Sequence, residues 1–146
     1  MKNIVFFSLA ACLVFYGCKK KVPTDEQPRE DVEMRRISQH KWEVYRLMVS
    51  GTDVWNIPQI IKECQKDDTY RFYRDSVLTH YENTDICSGG TDSARNSWRF
   101  IEGRRKIIAT LLNMTDTGEI ISLDETEMQL GVTLMDNPSV VYFRKK

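Results

Sequence analysis

Histidine, cysteine, glycine and proline are all scarce in this chain of 146 residues, which has two, four, seven and four of them respectively. So few histidines, with the cysteines far apart, leave little material for a zinc-type site. The 21 basic and 21 acidic side chains cancel at pH 7, so the composition shows no basic excess of the kind that suggests a nucleic-acid partner. We therefore expect no metal, no cofactor and no nucleic acid.

Residue arrangements typical of nucleophilic catalysis are also missing. No serine lies in a Gly-x-Ser-x-Gly elbow. His40 is expected to be solvated, and His80 to lie at the surface or rim of a strand. Asp67 and Asp68 are adjacent carboxylates, but a Ca²⁺ site needs about six to eight oxygen ligands and no other acidic cluster has the required spacing. We interpret both aspartates as structural residues at the turn before a strand, and expect no enzymatic activity.

Only one long apolar run exists, from Ile4 to Tyr16, and it follows Lys2. As a helix it would cover about 20 Å, which is too short for a bilayer core of about 30 Å. A cationic start, a short apolar segment and a small residue at the end predict a cleaved signal peptide over residues 1–17.

The segment ends in Gly17-Cys18 and so resembles a bacterial lipoprotein signal. The resemblance implies that the mature chain begins at Cys18, that its thiol carries a diacylglycerol, and that the protein is anchored to the outer membrane of the cell envelope. Lys19 to Lys21 stand where surface-exported lipoproteins carry acidic residues, so a periplasm-facing domain is expected. The alternative is ordinary secretion with cleavage elsewhere and a free thiol.

Residues 18–36 are interpreted as the lipidated cysteine followed by a flexible tether. The segment after Cys18 is rich in charges of both signs, contains two prolines and has almost nothing apolar to bury. Its three leading lysines either contact anionic headgroups or belong to a solvated leader without lipid contact.

Cys64 and Cys87 remain once Cys12 leaves with the signal and Cys18 is lipidated. Because an envelope compartment is oxidising, we expect a disulfide between them. A metal site is the rival interpretation, but the two thiols lack metal-ligand spacing.

Short β-like runs follow from residue 37 to the end. Apolar residues alternate with polar ones around Trp42, Tyr70, Trp98 and Met128, and turn signals such as Ser88-Gly89-Gly90 and Thr117-Gly118 separate many of the runs. Further runs lie near 77–82, 105–112, 119–123 and 139–145. We predict an all-β fold of about eight antiparallel strands that removes its edges by closing into an up-and-down barrel.

One stretch interrupts this pattern between the first two predicted strands. Residues 58–64 favour one or two helical turns, since proline is well placed in a first turn. With the apolar residues before it, this segment is predicted to be a short helical lid on one end of the barrel, and the disulfide would tie it to the 83–95 loop.

Several of these residues together resemble the small bacterial lipocalin-like domains. They are Trp42 early in the first strand, Cys64-Gln-Lys-Asp-Asp68, Tyr70-Arg-Phe72, Cys87 and Trp98. The resemblance covers residues 37–146 and implies an up-and-down barrel, sometimes with a ligand cavity, and no catalysis. It also implies that Arg144 stacks over Trp42, although His40 replaces the glycine of the lipocalin Gly-x-Trp signature.

Six aromatic residues are predicted to face the barrel interior. Either they line a pocket for a small hydrophobic ligand or they fill the core. These residues are Trp42, Tyr70, Phe72, Trp98, Phe100 and Tyr142. The leading functional hypothesis is a membrane-anchored lipoprotein that binds such a ligand; the alternative is a structural or adaptor lipoprotein with a filled barrel that contacts another envelope protein.

Overall fold

The computed structural model describes residues 26–112 and 114–146, with the backbone alone for 26–31. The predicted signal peptide (1–17), the predicted lipidation site Cys18 and the first part of the predicted tether lie outside the described residues. Within the described part, no helix is both long enough and apolar enough to cross a membrane.

One helix and ten strands make up the described fold, with a 3₁₀ turn at Glu63–Gln65. The elements in chain order are α1 (Glu26–Gln39), β1 (Lys41–Val49), β2 (Thr52–Asp53), β3 (Thr69–Phe72), β4 (Val77–Tyr81), β5 (Ser93–Ser97), β6 (Arg99–Ile101), β7 (Lys106–Leu111), β8 (Met114–Leu123), β9 (Glu127–Leu134) and β10 (Asn137–Lys145).

The strands form one antiparallel sheet in the order β5-β4-β3-β1-β10-β9-β8-β7-β6, and β2 pairs only with β1. The two ends of this order, β5 and β6, are consecutive in the chain, with Trp98 alone between them. The sheet therefore curls into a nearly closed barrel, as the strand pattern predicts. The strand count is higher than the predicted eight because Trp98 splits one predicted strand and a two-residue hairpin strand is added.

Trp98 fixes the corner at which the chain crosses from one edge of the sheet to the other. Its backbone N–H donates to the carbonyl of Ser76 at 2.9 Å, and its indole N–H donates to the carbonyl of Tyr73, also at 2.9 Å. Both donors of this buried residue are therefore satisfied. The ring sits in the interior, where it holds the seam of the barrel together.

A β-bulge in β1 explains an irregular sequence pattern. The pairing of β1 with β10 shifts between Val44 and Arg46, so Tyr45 is the extra residue and the phase of the strand changes there. Val44 and Leu47 are both buried, while Arg46 is exposed. The apparent break in the apolar alternation at Arg46 is thus a change of phase within one continuous strand.

Helix α1 covers residues that the sequence favours as flexible tether. Residues 26–36, assigned to the tether by composition, are helical, and the helix packs on one end of the barrel. Ile37 is fully buried and its carbonyl accepts the indole N–H of Trp42 at 2.8 Å, while Arg36 donates to the carbonyl of Leu123 at 3.3 Å. These tertiary contacts supply the stabilisation that the polar helix lacks by itself.

The segment between β1 and β3 closes the opposite end of the barrel. It contains a helical turn, in which the N–H groups of Ile60 and Ile61 both bond to the carbonyl of Ile57, followed by the 3₁₀ turn. Three apolar residues of this segment, Val54, Trp55 and Ile61, are buried. The predicted short helical lid is present, and we call residues 54–65 the lid.

Candidate functional site

Four of the six predicted interior aromatics form a packed core. Trp42, Tyr70, Phe72 and Trp98 are each at most 2% exposed. Phe72 meets Trp98 edge-on with ring centroids 5.1 Å apart, and Trp98 meets Phe100 in the same way at 5.1 Å. At this end of the barrel the rings fill the interior, as in the filled-core alternative.

Tyr142 does not face the interior. Its neighbours Val141 and Phe143 are buried, whereas Tyr142 lies on the outer surface against the ring of Tyr45, 6.2 Å away. The prediction that Tyr142 faces the interior is therefore wrong by one position along the strand. A shift of one residue moves a side chain to the opposite face of the sheet. Phe143 occupies the predicted interior position.

Arg144 does not stack over Trp42 as the lipocalin resemblance implies. It lies on the outer face, where its Nε donates to Glu43 at 2.7 Å and its guanidinium stands 5.7 Å from the centre of the Tyr45 ring. Lys146 donates to the other oxygen of Glu43 at 2.6 Å. Burial alone would raise the pKa of Glu43, but these two charged donors outweigh it, so that pKa lies below its ordinary value. Arg144 is structural, through Glu43.

His80 is an interior residue, contrary to the surface or rim position expected from the sequence. Its ring stacks on Tyr70 with centroids 4.9 Å apart, and its Nε2 is 2.7 Å from Asp68 Oδ2. Asp68 is itself buried. The structural interpretation of Asp68 therefore fits: its carboxylate holds the histidine that stacks against the aromatic core.

Asp67 is structural in a different way. Its Oδ2 accepts hydrogen bonds from the backbone N–H and the hydroxyl of Thr84, both at 2.9 Å, and from the N–H of Asp85 at 3.3 Å. Although burial raises the pKa of Asp67, these hydrogen bonds outweigh it and the pKa is lowered. The side chain of Asn83 donates to the carbonyl of Asp67. The residue thus anchors the loop after β4 to the strand entrance of β3.

The predicted disulfide between Cys64 and Cys87 is present, with the two Cα atoms 5.2 Å apart. It joins the 3₁₀ turn of the lid to the loop after β4. The disulfide thus ties that loop covalently to the lid. The hydrogen bonds of Asp67 attach the same loop to the start of β3.

A cleft of about 270 Å³ lies at the lid end of the barrel. Its walls come from the end of β1, the lid, the β7–β8 turn and the β9–β10 turn, and they are mostly aliphatic. The lining residues are Leu47, Val49, Gln59, Ile60, Ile61, Gln65, Leu112, Met114, Leu134, Met135 and Asn137. None of the six predicted aromatics belongs to this lining, so the aliphatic cleft is where the described structure offers an apolar site.

A smaller cavity of about 30 Å³ shares Leu112, Met114 and Leu134 with the cleft and extends towards Ile107 and Leu130 inside the barrel. It has room for about one water molecule. The cleft therefore continues a short way into the interior before the packed core stops it.

Large apolar side chains surround the cleft and reach solvent. Met135 is 91% exposed, Ile60 49% and Met114 43%. Met135 and Asp136 both have positive φ, 49° and 62°, which is the geometry of a type I′ hairpin turn that normally selects asparagine or glycine. Here the turn places a methionine at its tip, on the rim of the cleft.

The polar groups of the cleft are uncharged amides. Gln59, Gln65 and Asn137 are the only polar residues among the described lining residues, and none carries a charge. The amide of Gln65 already accepts from the N–H of Lys62 at 3.1 Å. Such a site can bury apolar surface and offer a few neutral hydrogen bonds, but it contains no cation that would pair with a carboxylate or phosphate.

Trp98 and Phe100 also border an open groove of about 390 Å³ beside Met34 of α1. Arg99, Glu102 and Arg104 contribute to its walls. Because charged side chains contribute to its walls, this groove suits an apolar ligand less well than the aliphatic cleft does.

The sequence analysis missed the cleft because its walls come from turns. Leu112, Met114, Leu134 and Met135 sit in or beside tight hairpin turns, where polar residues are usual. Apolar residues at turn positions are the signal by which the sequence could have indicated the cleft. That signal can be used only when the strand register shows which turns lie next to each other.

Within residues 26–112 and 114–146, no group of three or more histidine, cysteine, aspartate or glutamate side chains is arranged to hold a metal ion. Comparison of the chain with protein-family models, with curated proteins and with solved structures finds no match.

Proposed function

We propose that this protein is a non-catalytic, lipid-anchored envelope lipoprotein whose lipocalin-like barrel binds a small uncharged apolar molecule in the lid-end cleft. The observation that carries the proposal is the aliphatic cleft of about 270 Å³, which adjoins exposed Ile60, Met114 and Met135. The aromatic residues of the interior support the binding wall and do not contact the ligand.

Burial of apolar surface is the driving force. Removing about 200 Å² of ligand surface from water contributes about 5 kcal/mol, and ordering costs reduce this figure. A dissociation constant in the high micromolar to millimolar range follows for a ligand of this size. The volume lies just below that of typical ligand pockets, about 300–1,000 Å³, which favours a compact aromatic molecule or a short acyl chain.

The position of the cleft suits the proposed anchor. Helix α1 packs at the end where β1 starts, beside Ile37, whereas the cleft is lined by Leu47 and Val49 where β1 ends. The nine residues of β1 separate the two ends by about 27 Å. From Cys18 to Glu26 the chain spans at most about 28 Å. In the proposed anchored protein, the chain from Cys18 would enter the barrel at the end opposite the cleft, and the cleft would open to the periplasm.

An adaptor function is the second candidate, and the exposed apolar rim favours it. Contiguous exposed apolar surface marks protein interfaces as well as ligand clefts. In that case Ile60, Met114 and Met135 would pack against another envelope protein, and the cleft would accept one of its side chains.

A fluorescence titration with N-phenyl-1-naphthylamine, a neutral apolar probe, separates the two candidates. We expect saturable binding by the purified protein alone, and at least tenfold weaker binding by Ile60→Glu, which places a carboxylate in the apolar cleft. Ile121→Glu is the matched control, because Ile121 is similarly exposed at 53% on β8 and does not line the cleft.

Saturable binding that the control retains and Ile60→Glu loses would support the ligand-binding proposal. If the purified protein binds no probe, or if both variants bind as the parent does, the cleft is not a ligand site and the adaptor becomes the better candidate.

A further inference from the structure

The zero net charge of the chain conceals a local concentration of positive charge on the outer face of the barrel. Register pairing places Arg95 opposite Thr79, Thr79 opposite Arg71, and Arg71 opposite Lys41. The backbone N–H of Lys146 bonds to the carbonyl of Lys41 at 3.0 Å, which continues the line. Four cations therefore lie in one transverse line across β5, β4, β3, β1 and the end of β10. We call Arg95, Arg71, Lys41 and Lys146 the basic row.

All four cations belong to the outer face. On β3 the neighbours of Arg71, Tyr70 and Phe72, are buried in the core, so Arg71 points outwards. The same alternation places Lys41 outside, next to buried Trp42, and Arg95 is exposed. Four neighbouring strand spacings separate the ends of the row by about 19 Å along the surface.

Arg71 donates a hydrogen bond to the carbonyl of Gln39 at the end of α1 at 2.8 Å, but the repulsion between neighbouring cations opposes this arrangement. Like charges directly opposite each other in an antiparallel pair destabilise the sheet, and Lys41 and Arg71 are such a pair. The carboxylate of Glu43 lies close by, and it is already shared by Lys146 and Arg144. Glu127 lies beyond it, opposite Arg144 on β9, so the row and Arg144 bring five cations together against two carboxylates.

Two tyrosines lie among the cations. The ammonium of Lys41 stands 4.1 Å from the centre of the Tyr81 ring, and the guanidinium of Arg71 stands 5.7 Å from that of Tyr73. The hydroxyls of Tyr73 and Tyr81 are 3.2 Å apart. Cation–π contacts hold the cations side by side at the surface, and the ring of Tyr73 remains 38% exposed.

The local field agrees with this geometry. Burial lowers the pKa of His40, next to Lys41 in the chain, and the charges of Lys145 and Arg71 lower it further, although Glu125 opposes them. The geometry of the row gives this part of the outer face a positive potential, with which the contributions of Lys145 and Arg71 at His40 agree. Such a potential attracts polyanions and speeds their association.

We propose that the basic row, with Tyr73 and Tyr81, forms a binding site for an acidic polysaccharide whose chain runs across the strands. The row curves over five adjacent strands of a barrel, so a flat bilayer can touch only part of it, whereas a linear polymer can follow it. Of the two tyrosines, the exposed Tyr73 offers apolar ring surface to a sugar. The choice of polysaccharide over nucleic acid rests on the envelope location given under the proposed function.

Heparin, a sulfated polysaccharide, is the probe for the test. The purified full chain is titrated in a non-ionic detergent at about 50 mM NaCl, and the dissociation constant is followed as salt is raised. We expect the double variant Arg71→Gln/Arg95→Gln to bind about tenfold more weakly, because two of the four cations of the row are lost, and to show a smaller dependence on salt.

Arg46→Gln/Lys62→Gln is the matched control, since it removes the same charge from the lid end of the barrel, away from the start of β1 where Lys41 lies. It should change the dissociation constant by less than about twofold. The melting temperature of the first variant should stay close to that of the parent, because relief of the Lys41–Arg71 repulsion offsets the lost hydrogen bond from Arg71 to Gln39; weaker binding would then not reflect unfolding.

Four results would overturn the proposal: no heparin binding, equal losses in the two double variants, tighter binding to an oligo(dT) strand of equal charge, or binding only to phosphatidylglycerol vesicles. Ile60→Glu should bind heparin as the parent does. Failure of heparin binding with intact naphthylamine binding would therefore reject the basic row alone, and the reverse result would reject only the cleft.

Discussion

The hydroxyl of Tyr70 accepts a hydrogen bond from the backbone N–H of Leu112 at 3.1 Å, which links the aromatic core to the rim of the cleft. Leu112 has a positive φ of 49° at the β7–β8 turn, and this hydroxyl is the partner of its buried N–H. Burial raises the pKa of Tyr70 well above its usual range, and the hydroxyl stays neutral. The packed interior thereby positions one wall of the cleft.

Replacing Tyr70 by phenylalanine should test this link. The ring would still pack, but the buried N–H of Leu112 would lose its acceptor, which costs about 1–3 kcal/mol. Urea denaturation should show that loss in the free energy of unfolding. Tyr73→Phe is the control, because its hydroxyl bonds only to that of Tyr81 near the surface; a loss as large in the control would contradict the specific role of Tyr70.

Breaking the Cys64–Cys87 disulfide should lower the free energy of unfolding by about 3 kcal/mol, the value expected for a closed loop of this length. Urea denaturation with and without dithiothreitol measures the difference. The double variant Cys64→Ser/Cys87→Ser should be equally destabilised and insensitive to the reductant. Because Gln65 beside Cys64 lines the cleft, naphthylamine should also dissociate faster from the reduced protein.

Stability should fall in acid partly through Glu43. A carboxyl whose pKa is lowered by folding contributes stability that is present above its unfolded pKa and is lost as the pH falls through the folded value. Glu43→Gln should cost about 1–2 kcal/mol at pH 7, since its partners Arg144 and Lys146 are more than half exposed. It should also flatten the stability profile below about pH 4.5. If the variant loses stability in acid as steeply as the parent does, Glu43 does not contribute to the acid sensitivity of the fold.

Cys18→Ser tests the anchor, which lies outside the described residues. If Cys18 is lipidated, the variant should leave the membrane fraction and accumulate as precursor or as soluble protein. Cell fractionation and mass spectrometry of the mature N-terminus report this directly. Membrane association with unchanged cleavage in the variant would contradict the lipoprotein proposal, and rapid loss of the domain when protease is added to intact cells would contradict a periplasmic location.

The sequence predicted the parts of the fold that depend on local pattern or on few possibilities. Strands with one clear apolar face, such as the one with Tyr70 and Phe72, were found with the correct orientation. The disulfide was predicted because Cys64 and Cys87 alone remained to pair, given the predicted signal peptide, the predicted lipidation of Cys18 and the expectation of an oxidising compartment.

Other features depend on contacts that local pattern does not contain. Both faces of β10 carry large apolar or aromatic side chains, Val141 and Phe143 on one face and Tyr142 on the other. The alternation alone therefore could not show which face points into the barrel. The polar helix α1 is stabilised by contacts of Ile37 and Arg36 with the barrel. His80 is buried because Asp68, twelve residues earlier in the chain, is the partner of its ring nitrogen.

The most direct test of the central claim, that the lid-end cleft and not the aromatic core is the ligand site, uses methyl NMR of methionine. Met114 and Met135 line the cleft, whereas Met128 is fully buried in the core and Met48 lies on the far side of β1 from the cleft. On titration with N-phenyl-1-naphthylamine, the methyl signals of Met114 and Met135 should shift together and saturate, while those of Met128 and Met48 stay in place. Shifts confined to Met128, or no shift at the two cleft methionines despite measurable probe binding, would contradict the account.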